Sequence, residues 1–174
     1  MKTLIIGLGN PILGDDGIGW RAAEAVEQLF SGRTGTNNET ARPEWLAEVR
    51  AHHPEIEVDY LSVGGLGLME RLVGADFVVL IDAIATGKHA KGTVLSFPLS
   101  SLPDLTSEHM TSAHDTSLPN AIQLGRKMGA SLPSQIFVVG IEAENLYNFT
   151  EELSSPVAAA IPRAVEEVIK ILSQ

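Results

Sequence analysis

The chain has 174 residues, 44% hydrophobic and 20% charged, a size and balance expected of one globular domain that buries about 70% of the surface its unfolded form exposes. Its 12 basic and 22 acidic residues give a formal net charge of −10, which argues against a nucleic acid or an anionic membrane as partner and favours a cationic one. There is no cysteine, so disulfides, thiolate zinc sites and cysteine nucleophiles are excluded; no run approaches the ~18 apolar residues of a membrane span and the first is too short for a signal peptide, so a cytoplasmic protein is expected.

Residues 2–8 are rich in Ile and Leu and stop at Gly7-Leu8-Gly9, as expected of a short strand buried on both faces of a parallel sheet. Ile18, Ala22, Val26, Leu29 and Phe30 then recur at helical spacing up to Gly32, so the first unit reads as strand, turn, helix. Residues 35–41 are polar and without period, and 43–50 read as one or two helical turns with Pro43 at the start. A second strand is expected over 56–63, broken by Gly64-Gly65, and a short helix over 66–72.

Residues 76–84 contain Phe77-Val78-Val79-Leu80-Ile81, the plainest buried strand, which runs into Asp82. A fourth strand over 93–98 is placed near an edge because Pro98 has no N–H to give a ladder. Residues 100–115 read as a long loop of the kind that carries function. The next helix begins near Thr116 or Ser117, has Leu118, Ile122, Leu124 and Met128 toward the core and closes at Gly129. A fifth strand covers 135–141. The last helix has Ser155 as its cap and Pro156 at its first position; Pro162 lies inside the stripe, where it would cost ~3 kcal/mol, so a kink or a start just before it is expected. The alternation gives a single α/β domain over residues 1–174: a three-layer sandwich with a mostly parallel sheet of about five strands and helices on both faces. In such sheets ligands bind beyond the carboxyl ends of the strands. That rule gathers Asn10, Asp15, Asp16, Gly64-Gly65, Asp82 and His114 at one edge.

The glycine turn is not a dinucleotide fingerprint, because its third glycine position holds Ile12 and two carboxylates would repel a pyrophosphate; no nucleotide is expected. Of Asp15 and Asp16, one suffices to cap the following helix, leaving the other to face the cleft as ligand or base. Gly17 and Gly19 are read as room for a bulky partner. His114 is a candidate metal ligand in the late loop, with His109 as its rival; His52, His53 and His89 are expected in solvent. No Gly-x-Ser-x-Gly elbow supports serine catalysis.

Gly7-Leu8-Gly9-Asn10, Gly14-Asp15-Asp16-Gly17-Ile18-Gly19, Leu80-Ile81-Asp82-Ala83, Ser112-Ala113-His114 and Val139-Gly140-Ile141-Glu142 resemble, in nearly that order, the hydrogenase maturation endopeptidases, with about 32–55 looking like an insertion. The resemblance implies a protease that removes a C-terminal extension from the large-subunit precursor of a nickel-iron hydrogenase after nickel insertion. It implies nickel carried by that precursor, metal contact through Asp16 and His114 with catalytic roles for both, and an acid at the position of Val63. Val63 is no ligand, and Asp59 on the same strand face lies four residues back, ~13 Å along an extended chain. Asp82 is the better substitute, with Asp115 and Asp15 behind it, and Asn10, Gly14, Gly64 and Gly65 are read as lining the substrate. Two rivals remain from the residues: a non-catalytic nickel-sensing or assembly module that lost the acid at Val63, and a peptidyl-tRNA hydrolase, whose opening is similar but whose Thr-Arg-His-Asn segment is absent.

Overall fold

The computed structural model describes residues 1–31, 44–101, 118–144 and 146–174. Five strands form one sheet in the order β2-β1-β3-β5-β4: β1 (Lys2–Leu8), β2 (Glu55–Leu61), β3 (Phe77–Ile84), β4 (Val94–Pro98) and β5 (Gln135–Glu142). β1, β2, β3 and β5 run parallel, Ile5 standing beside both Val58 and Val79. β4 lies antiparallel on the outer side of β5, with Pro98 at its end. The missing N–H of Pro98 thus falls on an edge strand.

Side chains alternate across the central strands, and each face meets its own helices. On one face Ile5, Val79, Ile81, Ala83, Val139 and Ile141 pack with Ile18, Ala22 and Val26 of α1 (Ile18–Ser31) and with Ala164, Val168 and Leu172 of α6 (Ile161–Leu172). Val49 of α2 (Glu44–His52) joins them. On the other, Leu4, Ile6, Leu8, Val78, Leu80 and Val138 pack with Leu68, Met69 and Leu72 of α3 (Gly65–Leu72) and with Leu118, Ala121 and Ile122 of α4 (Leu118–Lys127). β3 is buried at every position, as befits the middle of a three-layer sandwich. Truncating one of its large side chains is expected to cost about 2–5 kcal/mol.

Four expectations are corrected. Leu124 and Met128 are exposed, because α4 buries Leu118, Ala121, Ile122 and Gly125; a Cβ on Gly125 would lie 2.8 Å from Met69 Sδ and 2.9 Å from Leu132 Cδ1, so those side chains would have to shift. β2 ends at Leu61 rather than at residue 63. His53 is buried, its ring edge-on to Phe77 and its Nδ1 2.8 Å from Thr3 Oγ1. Gly17 and Gly19 open no space for a partner. A Cβ on Gly19 would lie 2.2 Å from Leu8 O and 2.4 Å from Ile81 O, and one on Gly17 would lie 2.9 Å from Pro11 Cα. Gly19 lets α1 sit directly on β1 and β3, and Gly17 lets the chain close on Pro11 of the opening turn.

At Pro162 the chain takes the second of the two foreseen courses. A short helix, α5 (Ser155–Ala158), ends and α6 begins at Ile161, placing Pro162 in its first turn. There its missing N–H has no intrahelical partner to lose. Of the supposed insertion, the described part is α2, which buries Leu46 and Val49, and the first residue of β2. Arg50 Nη2 donates to Phe30 O at 2.7 Å and so closes the carboxyl end of α1.

Candidate active site

The carboxyl edge of the parallel strands carries the opening turn, and short bonds hold that turn from three sides. Leu61 O, at the end of β2, accepts from Gly9 N at 3.1 Å and from Trp20 Nε1 at 3.2 Å. Ser62 Oγ donates to Gly9 O at 2.7 Å, which it reaches because β2 has already ended. Gly9 has φ +118° and its hydrogen side faces Asp16 O; a Cβ there would lie 1.9 Å from that oxygen. Only glycine meets both conditions.

The two adjacent carboxylates serve different ends. Asp15 is 1% exposed; its Oδ1 accepts from Ser154 N at 2.6 Å and its Oδ2 from Ser154 Oγ at 2.8 Å. It does not cap α1. It ties the first turn to the segment leading into α5, 139 residues later. Asp16 is half-buried, and its Oδ2 accepts from Asn10 N at 2.6 Å. That bond folds the turn back on itself and fixes the Asp16 carboxylate at the strand end, a placement suited to an oxygen ligand or a base.

Asp82 lies near the carboxyl end of β3, 6% exposed and in register with Gly140 of β5. By alternation it shares a face with Val78 and Leu80, the face covered by α3 and α4. Because β3 neighbours β1, Asp16 and Asp82 stand at the ends of adjacent strands. His114, its rival His109 and Asp115 lie outside the described residues. Among the described residues no three His, Asp or Glu side chains are grouped so as to hold a metal ion.

The remaining residues singled out in the sequence fall into place around this edge. Asn10 is half-buried and its Oδ1 accepts from Ile12 N at 3.2 Å. Gly14 is buried at φ +60°, its N–H donating to Thr150 O at 2.7 Å. Gly64 precedes α3 and is half-buried, while Gly65 is buried at φ +55° as the first residue of that helix. Val63 is 44% exposed just beyond β2. Asp59, the acid four residues back on β2, is bound by Arg71 Nε at 2.5 Å. Arg71 also grips Glu57, and together with Asp59 first and then Glu57 this raises the guanidinium pKa above its ordinary value.

The contacts made from the far end of the chain had no signal in the sequence. Ser154 and Thr150 hold the opening turn from the far end of the chain, and nothing in a linear reading links positions 139 residues apart. Glu142 is likewise a clasp: 2% exposed, it accepts from Thr86 Oγ1 at 2.7 Å and Gly87 N at 2.8 Å, closing the turn after β3. No helix among the described residues is long and apolar enough to cross a membrane.

Comparison with known proteins identifies the family. A curated relative, hydrogenase 2 maturation protease of Escherichia coli, is 26% identical, the match covering 100% of this chain and 92% of the relative. A solved structure of the hydrogenase maturating endopeptidase HybD from E. coli superposes with a TM-score of 0.71 at 26% identity, over 99% of this chain and 92% of that one. The [NiFe] hydrogenase maturation protease HybD from Thermococcus kodakarensis shares the fold, with a TM-score of 0.65 at 24% identity over 99% of each chain. The family model described as hydrogenase maturation protease matches residues 48–171, which span β2 through α6. The chain therefore belongs to the hydrogenase maturation protease family and is a peptidase.

Proposed function

We propose that this peptidase removes a C-terminal extension from the large-subunit precursor of a nickel-iron hydrogenase once nickel is in place, working in the cytoplasm. The observation that supports this reading best is the fixed Asp16 carboxylate at the end of β1 in a member of the hydrogenase maturation protease family. The nickel is the precursor's cargo rather than a resident cofactor. Asp16 and His114 read it, and Asp82, buried at the end of the neighbouring strand, stands in for the acid absent at Val63. A site with so few protein donors suits an ion that arrives already ligated, since the precursor completes the coordination.

With the ion bridging enzyme and precursor, the extension is held against the strand ends. Water then adds across the amide: its oxygen forms the new carboxylate and its protons go to the leaving amine and to a base. That proton transfer is assigned to Asp16 and His114. The negative charge of the protein favours a cation-bearing substrate and no nucleic acid.

Asp16→Asn tests the proposal. The variant is expected to fold as the wild type, because an amide oxygen still accepts from Asn10 N, and to leave a nickel-loaded precursor unprocessed, as read by intact mass. Normal processing by this variant would overturn the role given to Asp16. Tight association of the wild-type protein with the precursor but no loss of mass would favour a non-catalytic assembly role.

A further inference from the structure

Beside Asp16 the surface carries large apolar side chains that the fold does not use. Phe149 is 87% exposed and Ile12 45% exposed. Single exposed hydrophobics are ordinary, but these two are placed together by backbone pairing. Leu13 and Thr150 form a parallel bridge, with Thr150 N donating to Ile12 O at 3.1 Å and Gly14 N to Thr150 O at 2.7 Å. Ile12 and Phe149 are the residues just before the two bridged ones, so the pairing brings their backbones next to each other. The Asp15 bonds to Ser154 lock this pair to the turn that carries Asp16. The apolar patch is therefore rigidly set a few residues from the Asp16 carboxylate.

The patch also has a charge. Glu151 and Glu152 follow Phe149 and are exposed, and among the described residues neither makes an ion pair. An apolar pair bordered by two carboxylates, on a protein of net charge −10, complements a surface in which an apolar side chain sits next to Lys or Arg. We propose that Ile12, Phe149, Glu151 and Glu152 form the docking surface for the substrate protein, and that the docked segment carries an apolar side chain flanked by basic residues. This inference rests on the reading of the chain as a protease of a hydrogenase precursor. It adds where on the enzyme that precursor is gripped and by what chemistry. Docking on a rim clamped to Asp16 delivers the extension to the strand ends without a moving part in the clamp.

The test is steady-state processing of a nickel-loaded large-subunit precursor from the source organism. For Ile12→Ser with Phe149→Ser, KM is expected to rise about tenfold while kcat stays within about a factor of two and the melting temperature holds, since both side chains lie outside the core. For Glu151→Lys with Glu152→Lys, KM rises about threefold or more, and the wild type's loss of affinity with added salt disappears. Met128→Ser, which removes another exposed apolar side chain just beyond α4, leaves KM unchanged. An unaltered KM in the first double variant overturns the docking surface and leaves the protease reading standing. If the wild type does not cleave, equilibrium binding of the same precursor decides: weaker binding by the double variant supports the docking surface without the cleavage, and no binding by the wild type overturns both.

Discussion

At the amino edge of the sheet the buried polar groups close on one another, whereas at the carboxyl edge two carboxylates are brought to the ends of adjacent strands and one is held half-exposed. Thr3 and His53, both buried, share a hydrogen bond and lie under Phe77; Lys2 N is taken by Asp76. Across the sheet, Asp15 spends both oxygens on Ser154 so that its neighbour Asp16 can be aimed elsewhere. The same residue type one position apart is a buried fastener in one case and a half-buried carboxylate, the one proposed for chemistry, in the other. The difference teaches that burial and partner, rather than identity, sort such carboxylates.

The largest expected break in this contrast is Asp16→Asn, which should lower processing of the precursor by about a thousandfold with no change in the thermal midpoint. Next is Gly19→Ala. A Cβ pressed against Leu8 O and Ile81 O forces α1 off the sheet, and a loss of about 3 kcal/mol in denaturant unfolding is expected. Asp15→Asn should cost about 2 kcal/mol, because one carboxylate oxygen facing a donor becomes an NH2 group, and should reduce activity only as far as it loosens the turn. Finding activity lost but stability kept in Asp15→Asn would reverse the roles assigned to the pair.

Val63→Asp sharpens the comparison by restoring an acid beside the Gly64-Gly65 turn. Titration calorimetry with Ni2+ alone should show about tenfold tighter binding than the wild type. Smallest is the effect at the amino edge. Burial, the largest influence on His53, lowers its pKa below the ordinary 6.5, with the backbone at Leu172 opposing. The unfolded chain then binds the proton first, so the stability His53 contributes is present above pH 6.5 and is lost as pH falls toward the folded value. The slope is at most about 1.4 kcal/mol per pH unit for one proton. His53→Gln should flatten the fall of the melting midpoint over that window and leave it unchanged above pH 7.

Much of the fold was legible in the order of apolar runs. Val78, Leu80 and their neighbours in β3 announce a strand buried on both faces, and the alternation of such runs with helical stripes leaves a three-layer parallel sheet as the economical solution. Pro98 marked the edge and Pro156 and Pro162 marked helix starts, because a residue without an N–H is tolerated at few positions. The site was legible in part: Asp16 was chosen over Asp15 through the resemblance to the family, while the physical ground for the choice is the Ser154 bonds. The stripe of α4 was misjudged because Leu124, two residues from Ile122, lies about 200° round the helix from it and so faces away from the sheet, while Met128 lies beyond the end of the helix. His53 was misread because a lone histidine after a polar helix gives no sign that Thr3 waits for it.

By itself, then, the sequence determined the element types, the edge strand and the family resemblance. These depend on local periodicity and on residues with few permitted conformations. Only the tertiary structure decided what the opening glycines are for, which aspartate is a fastener, and that the segment of Thr150 and Ser154 is bonded to the opening turn. Each of those depends on contacts between residues far apart in the chain, and a distance closed by folding leaves no trace in the spacing of the residues that meet.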